Sequence, residues 1–360
     1  MLYLLTWVLA FAALAVVLGA FYQAYGSRRD ARFYPPPGRL VDIGTHRLHL
    51  LETGRRGPAP TLLLEAGLMS TVLSWSNLQQ ELSKSFHVVS YDRAGLGWSD
   101  LGPMPRTADR IVDELHTLLE KASIRPPYIV VGHSFGGLTM PVFAVRFPNE
   151  VVGMVLVDPV APSEWNPPPD HDLKQARIGA KVCRRSAILS RIGALRLIAT
   201  LLSTRARNVA ARMVRLISRG TPGNAGTVSS PWFAALPQNE QAMAAVFWIQ
   251  PKFALTIASQ LENLPASAAS AAKLPRDYDK PVVILSASTA SERRRSGHAA
   301  MARLLPRGTH LQATNSNHWI MQEETDLVLS AIQDVVNQVQ KNPASSGQSA
   351  VAAKSHAATP

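Results

Sequence analysis

Cysteine is nearly absent from this chain of 360 residues: Cys183 stands alone, so no intrachain disulfide can form and the fold does not depend on an oxidising compartment. Charge is missing from the first part of the chain. The run Leu2 to Tyr22 (LYLLTWVLAFAALAVVLGAFY) has no charged side chain, and the first to follow is Arg28. Neither Lys nor Arg precedes that run, which removes the positive leader expected of a cleaved signal peptide and leaves a stretch long enough to cross a bilayer as a helix. Acidic residues are absent from a third region, Lys174 to Arg219, which holds twelve Lys and Arg. That number equals the whole formal net charge of +12, so the rest of the chain sums to about zero. Also missing are a P-loop, a G-x-G-x-x-G after a first strand, clustered Cys and His of metal-ligand spacing, and any fixed internal repeat, which argues against nucleotide, dinucleotide and zinc chemistry. No cofactor is called for.

What is present is a globular composition, 46% hydrophobic and 17% charged, far from that of disordered chains. After the apolar run come Arg28, Arg29 and Arg32, partly offset by Asp30, then the Pro-rich YPPPG of residues 34–38. The positive-inside rule therefore places the part that follows in the cytoplasm, with membrane anchor 1–25 and linker 26–39. From residue 40 short β-branched runs alternate with helical stretches, the signature of an α/β sheet. Candidate strands are Leu40–Ile43, His46–Glu52, Thr61–Glu65, His87–Tyr91, Tyr128–Val131, Val151–Val157, Val282–Ser286 and His310–Ala313. The rhythm stops between Asp158 and Pro281. There, aliphatics interleave with arginines at helical spacing, and Trp232, Phe233, Phe247, Trp248 and Phe253 follow. The chain thus divides into a core first part (40–158), a helical cap insertion (159–280), a core second part (281–340) and a disordered Ala/Ser-rich tail (341–360).

The chemistry gathers at Tyr128–Gly137, YIVVGHSFGG, where Gly132-His133-Ser134-Phe135-Gly136 is a G-x-S-x-G elbow with an apolar strand before it and a helix after it. Glycines flank the serine because a nucleophile on a sharp strand-to-helix turn needs neighbours without Cβ atoms. Its alternative is a Gly-rich turn with a bystander serine. Serine is a weak nucleophile at its free pKa and needs a base within reach. His318, after an apolar strand and a short polar turn near the C-terminus, suits that part. His133, inside the elbow, is read as a packing or hydrogen-bonding residue.

In these motifs, PTLLLEAG, YDRAGLGWSD, GHSFGG and NSNH in that order over roughly Leu40 to Val339, the chain resembles the α/β-hydrolase superfamily. With YPPPG behind an N-terminal span, it is similar to membrane-tethered bacterial members. The resemblance implies a mostly parallel eight-stranded sheet flanked by helices, and a Ser, acid, His triad. Asp158, 24 positions after Ser134 at the end of a strand, is the preferred acid, and Glu292, near the end of the later strand PVVILSASTASE, is the alternative. The oxyanion hole would use the backbone N–H groups of Phe135 and Leu68. Similar hydrolases carry His-Gly where this chain has Ala66-Gly67, which leaves open what anchors that loop. Aspartate-nucleophile relatives such as dehalogenases and epoxide hydrolases are disfavoured because the elbow holds Ser134.

These features imply a serine esterase acting on hydrophobic or lipid-like small-molecule substrates. A peptidase or amidase of the same fold is the first alternative, and a catalytically silent, membrane-tethered binding protein is the second. The basic stretch, mixed with aliphatics at helical spacing, suits a membrane-facing lid better than a nucleic-acid groove, and it would also suit the solvated faces of helices.

Overall fold

A computed structural model of the chain describes residues 1–202, 236 and 238–341. Arg205 to Arg219, Trp232, Phe233 and the tail beyond 341 lie outside the described residues. Two compact units are formed, one by Met1–Pro37 with Lys174–Glu262, the other by Gly38–Leu173 with the chain from Asn263 onward.

The second unit is built on an eight-stranded sheet: β1 (Arg39–Asp42), β2 (Arg47–Thr53), β3 (Thr61–Glu65), β4 (Val88–Tyr91), β5 (Tyr128–His133), β6 (Val151–Val157), β7 (Val282–Ser286) and β8 (Gly308–Gln312). Their spatial order is β1-β2-β4-β3-β5-β6-β7-β8. β1 and β2 form an antiparallel hairpin, β2 pairs antiparallel with β4, and all later pairings are parallel. Every residue of β3 to β7 is buried, which is why these strands are apolar throughout rather than alternating. Helices cover both faces. Thr107 opens the helix Ala108–Lys121 by accepting the Arg110 N–H, and Ile111, Val112, Leu115, Leu118 and Leu119 form its buried stripe. On the closing helix Thr325–Lys341, Val328, Ala331, Ile332, Val335, Val336 and Val339 are buried at helical spacing and join the core cluster that includes Val155 and Leu285. The helix Leu264–Ala271, expected in the cap, belongs to this unit: Ser267 Oγ accepts the Ala108 N–H at 3.0 Å, and Ser270 Oγ donates to Asp109 at 2.6 Å.

In the first unit the N-terminal helix runs from Leu2 to Phe33, beyond the expected end near residue 25. Gln23, Gly26 and Asp30, spaced three and four apart, make a buried polar stripe, which a reading based on apolar content takes for linker. Arg196, on the helix Ala194–Leu202, meets that stripe: its guanidinium lies 2.7 Å from Asp30 and donates to Gln23 Oε1 at 3.1 Å. Among the described residues this N-terminal helix is the one long and apolar enough, unbent, to span a membrane, and its apolar window is unburied.

Candidate active site

The parallel strands β5, β6 and β7 end side by side, and the residues just past them converge. Ser134 follows β5 with φ +53°, a left-handed conformation for a non-glycine residue, of the kind that costs about 1–3 kcal/mol and persists where the surroundings enforce it. The enforcement is visible: Ser134 N–H donates to Val157 O (3.1 Å), while its carbonyl accepts from Gly137 N–H (2.9 Å) and Val160 N–H (2.8 Å). Close approach also requires the glycines. A Cβ on Gly132 would sit 2.5 Å from Gly136 O, and one on Gly136 would sit 2.7 Å from Glu65 O. The helix Gly136–Arg146 then begins directly behind the serine.

Asp158 follows β6, also left-handed at φ +40°, with its own N–H donated to Leu285 O. Its carboxylate is 2% exposed; Oδ1 accepts the Ala287 N–H at 3.1 Å, and Oδ2 lies 2.5 Å from His318 Nδ1. The other ring nitrogen, Nε2, lies 2.9 Å from Ser134 Oγ. An ionised carboxylate can only accept, so Nδ1 carries the proton and Nε2 presents its lone pair to the serine hydroxyl. Burial by itself pushes the Asp158 carboxyl up. The hydrogen bond and charge of His318, the Arg294 guanidinium at 3.7 Å and the Ala287 N–H outweigh it and hold the group below the usual carboxylate range.

His318 is carried by a loop that is itself tied down. Glu324 accepts the Thr314 and Asn315 N–H groups, and Glu323 accepts those of Asn317. Ser288 grips the Ser316 carbonyl through both its N–H and its hydroxyl. His133 Nε2 donates to the His318 carbonyl at 2.9 Å, and its ring packs 4.7 Å from the rings of both His318 and Trp319. Burial, then repulsion from His318, pushes the His133 pKa well below the ordinary imidazole value, so it serves as a neutral strut.

Of the residues singled out in the sequence, Ser134, His318 and Asp158 are therefore brought together. Glu292 is not: its side chain is exposed at the start of the helix Glu292–Arg303 and bonded to Arg295 and Ser296. Phe135 lies at the N-terminus of the helix behind Ser134, and Leu68 follows Gly67, a Cβ on which would approach Ser134 Cβ to 3.1 Å. Neither the Phe135 nor the Leu68 N–H is taken by a partner among the described residues. Sequence reasoning did not single out Arg294 beside Asp158, the two glutamates under the histidine loop, or Arg93 beneath the Gly67 loop. Only Arg93 had a signal, its place in YDRAG. Among the described residues no three His, Cys, Asp or Glu side chains are grouped to hold a metal ion.

Residues 60–325 match the family model of the alpha/beta hydrolase fold, and the chain belongs to that family. Among curated relatives, it is 38% identical over 99 residues to the uncharacterised protein YqjL of Bacillus subtilis, covering 28% of this chain and 39% of YqjL. It is 27% identical over 146 residues to human epoxide hydrolase 4, covering 36% of this chain and 39% of that protein. The chain thus spans about two fifths of the length of either. A thermophilic esterase from Thermogutta terrifontis superimposes with TM-score 0.60 at 19% identity, covering 84% of this chain and 99% of the esterase, a likeness of fold.

Proposed function

We propose that the chain is a membrane-anchored serine hydrolase that cleaves carboxylic esters of hydrophobic, lipid-like substrates through an acyl-enzyme. Ser134 is the nucleophile, His318 the general base and Asp158 the acid that orients it. The observation that carries this reading is the continuous pair of contacts from Asp158 through His318 to Ser134, at 2.5 and 2.9 Å. As Ser134 Oγ attacks the carbonyl carbon, its proton passes to His318 Nε2, and Asp158 stabilises the imidazolium. The Phe135 and Leu68 amides receive the oxyanion. The imidazolium then protonates the leaving alkoxide, and water, deprotonated by the same nitrogen, releases the acid and restores the serine.

The anchor reading is supported by the ion pair between Asp30 and Arg196. A leader cleaved after the apolar run would strip the Leu2–Phe33 helix of its N-terminal turns and leave Asp30 on a short stub, loosening the hold on Arg196, which is 5% exposed. Because Asp30 faces inward, Arg28, Arg29 and Arg32 follow the span with no acid to offset them, which favours a cytoplasmic hydrolase domain.

Labelling of the full chain in detergent by a fluorophosphonate tests the chemistry. Wild type is expected to label, and Ser134→Ala and His318→Ala are not. Failure of folded wild type to label would overturn the catalytic reading in favour of a silent binding protein. Turnover of p-nitrophenyl esters against matched peptide amides separates an esterase from an amidase.

A further inference from the structure

We propose that Arg93, held by Glu65, is the positioning residue of the oxyanion loop, in the place where similar hydrolases carry a histidine. The inference rests on the hydrolase reading above. Arg93 and Glu65 are both buried, at 2% and 0% exposure, with Arg93 Nη1 2.5 Å from Glu65 Oε1. The same guanidinium donates onward, from Nη1 to Ala66 O (2.6 Å) and from Nη2 to Gly67 O (2.5 Å).

The second of these bonds acts through peptide geometry. Gly67 C=O and Leu68 N–H belong to one planar trans amide and point in opposite directions. Fixing the carbonyl on Arg93 therefore aims the N–H away from Arg93, the direction an oxyanion donor needs. The guanidinium also lies over the Phe135 ring, 5.2 Å from its centroid, so it touches the residue of the other proposed donor as well. Glu65 in turn packs under the elbow, its Cγ 3.1 Å from where a Gly136 Cβ would be. The far end of the loop is closed by the neighbouring residue of the same motif, since Asp92 Oδ1 accepts the Val72 N–H at 2.9 Å. YDRAG thus clamps the loop from Ala66 to Val72 at both ends. EAG supplies the counter-charge that lets an arginine stay buried there.

The test uses the full chain in detergent with Arg93→Met, Arg93→Lys and Glu65→Gln, each checked for folding by near-ultraviolet circular dichroism. Hydrogen exchange of peptides covering residues 66–72 reads the clamp without any turnover. Exchange there is expected to rise at least about tenfold in Arg93→Met, with that of β5 and β6 unchanged. On a short p-nitrophenyl ester, kcat is expected to fall on the order of 100-fold with KM within about threefold, since the donor acts on the transition state. Lysine does not rescue, because one ammonium cannot hold a carboxylate and two carbonyls in a planar fork. Glu65→Gln, nearly isosteric, is expected to shift both readouts the same way, and it serves if the Arg93 variants do not fold. Unchanged exchange in a folded variant, or wild-type kcat in Arg93→Lys, overturns the proposal. If wild type shows no turnover, the hydrolase reading fails and the exchange experiment still decides the clamp.

Discussion

Replacing Asp158 by asparagine changes one atom type at the centre of the site and leaves its shape alone. Asn Oδ1 can still accept the Ala287 N–H, now 3.1 Å from Asp158 Oδ1, so the loop after β7 keeps its tie. What then faces His318 Nδ1, at 2.5 Å in the wild type, is an NH2 group, a donor where an acceptor stood. The imidazole answers by moving its proton to Nε2, the nitrogen 2.9 Å from Ser134 Oγ, and it ceases to be a base toward the serine. A wrong tautomer in a triad of this geometry lowers kcat on the order of 10⁴-fold, or about 5.5 kcal/mol of transition-state stabilisation. Arg294 loses one carboxylate at 3.7 Å but keeps Glu164 at 3.5 Å, so the fold has no large uncompensated charge to absorb. The assay is the second-order rate constant of fluorophosphonate labelling, followed from pH 6 to 9 alongside thermal melting. A folded Asp158→Asn protein labelling within tenfold of wild type would refute the tautomer argument and the assignment of the acid with it.

Glu292→Gln, by contrast, is expected to label within about twofold of wild type, because the side chain is exposed and engaged with Arg295 and Ser296. Gly137→Ala should cost about 1–3 kcal/mol in a denaturant titration, since its Cβ would overlap the Pro159 ring behind the acid. His133 and His298 are held neutral by burial, with pKa values below the ordinary 6.5. The unfolded chain binds protons there that the folded one refuses, so stability should be full above pH 6.5 and fall as pH drops below it. The loss is measurable by urea unfolding below pH 6.5 and is diminished in a folded His298→Gln variant. Asp30→Asn leaves Arg196 buried without its partner, a loss of about 3 kcal/mol confined to the first unit, which limited proteolysis should cut first within residues 174–202.

The sheet was legible to the residue where it is most buried: the runs Thr61–Glu65, Val151–Val157 and Val282–Ser286 are strands with those same limits. Strands enclosed on both faces have no reason to alternate, so composition alone outlines them. Ser134, His318 and Asp158 could be picked out because each follows an apolar strand in a fixed chain order. Arg93 and Glu65 could not, because nothing local marks two opposite charges, 28 positions apart, as partners in an apolar interior. The same holds for Asp30 and Arg196, 166 positions apart, which make a helix continue where hydropathy alone ends it.

Two of the three members of the site are fastened to the frame. Ser134 and Asp158 sit one step past the paired residues His133 and Val157 of adjoining strands, so the ladder fixes their separation. His318 hangs instead on a loop from Thr314 to Asn317, tied by side chains rather than by a strand ladder: Glu323 and Glu324 hold its N–H groups, and Ser288 and His133 hold the Ser316 and His318 carbonyls. Moderate heat is expected to slacken those tethers while the sheet stays folded. Loss of the proposed site is then expected to precede denaturation and to reverse on cooling, so that a melting temperature would overstate the range in which its three members stay assembled.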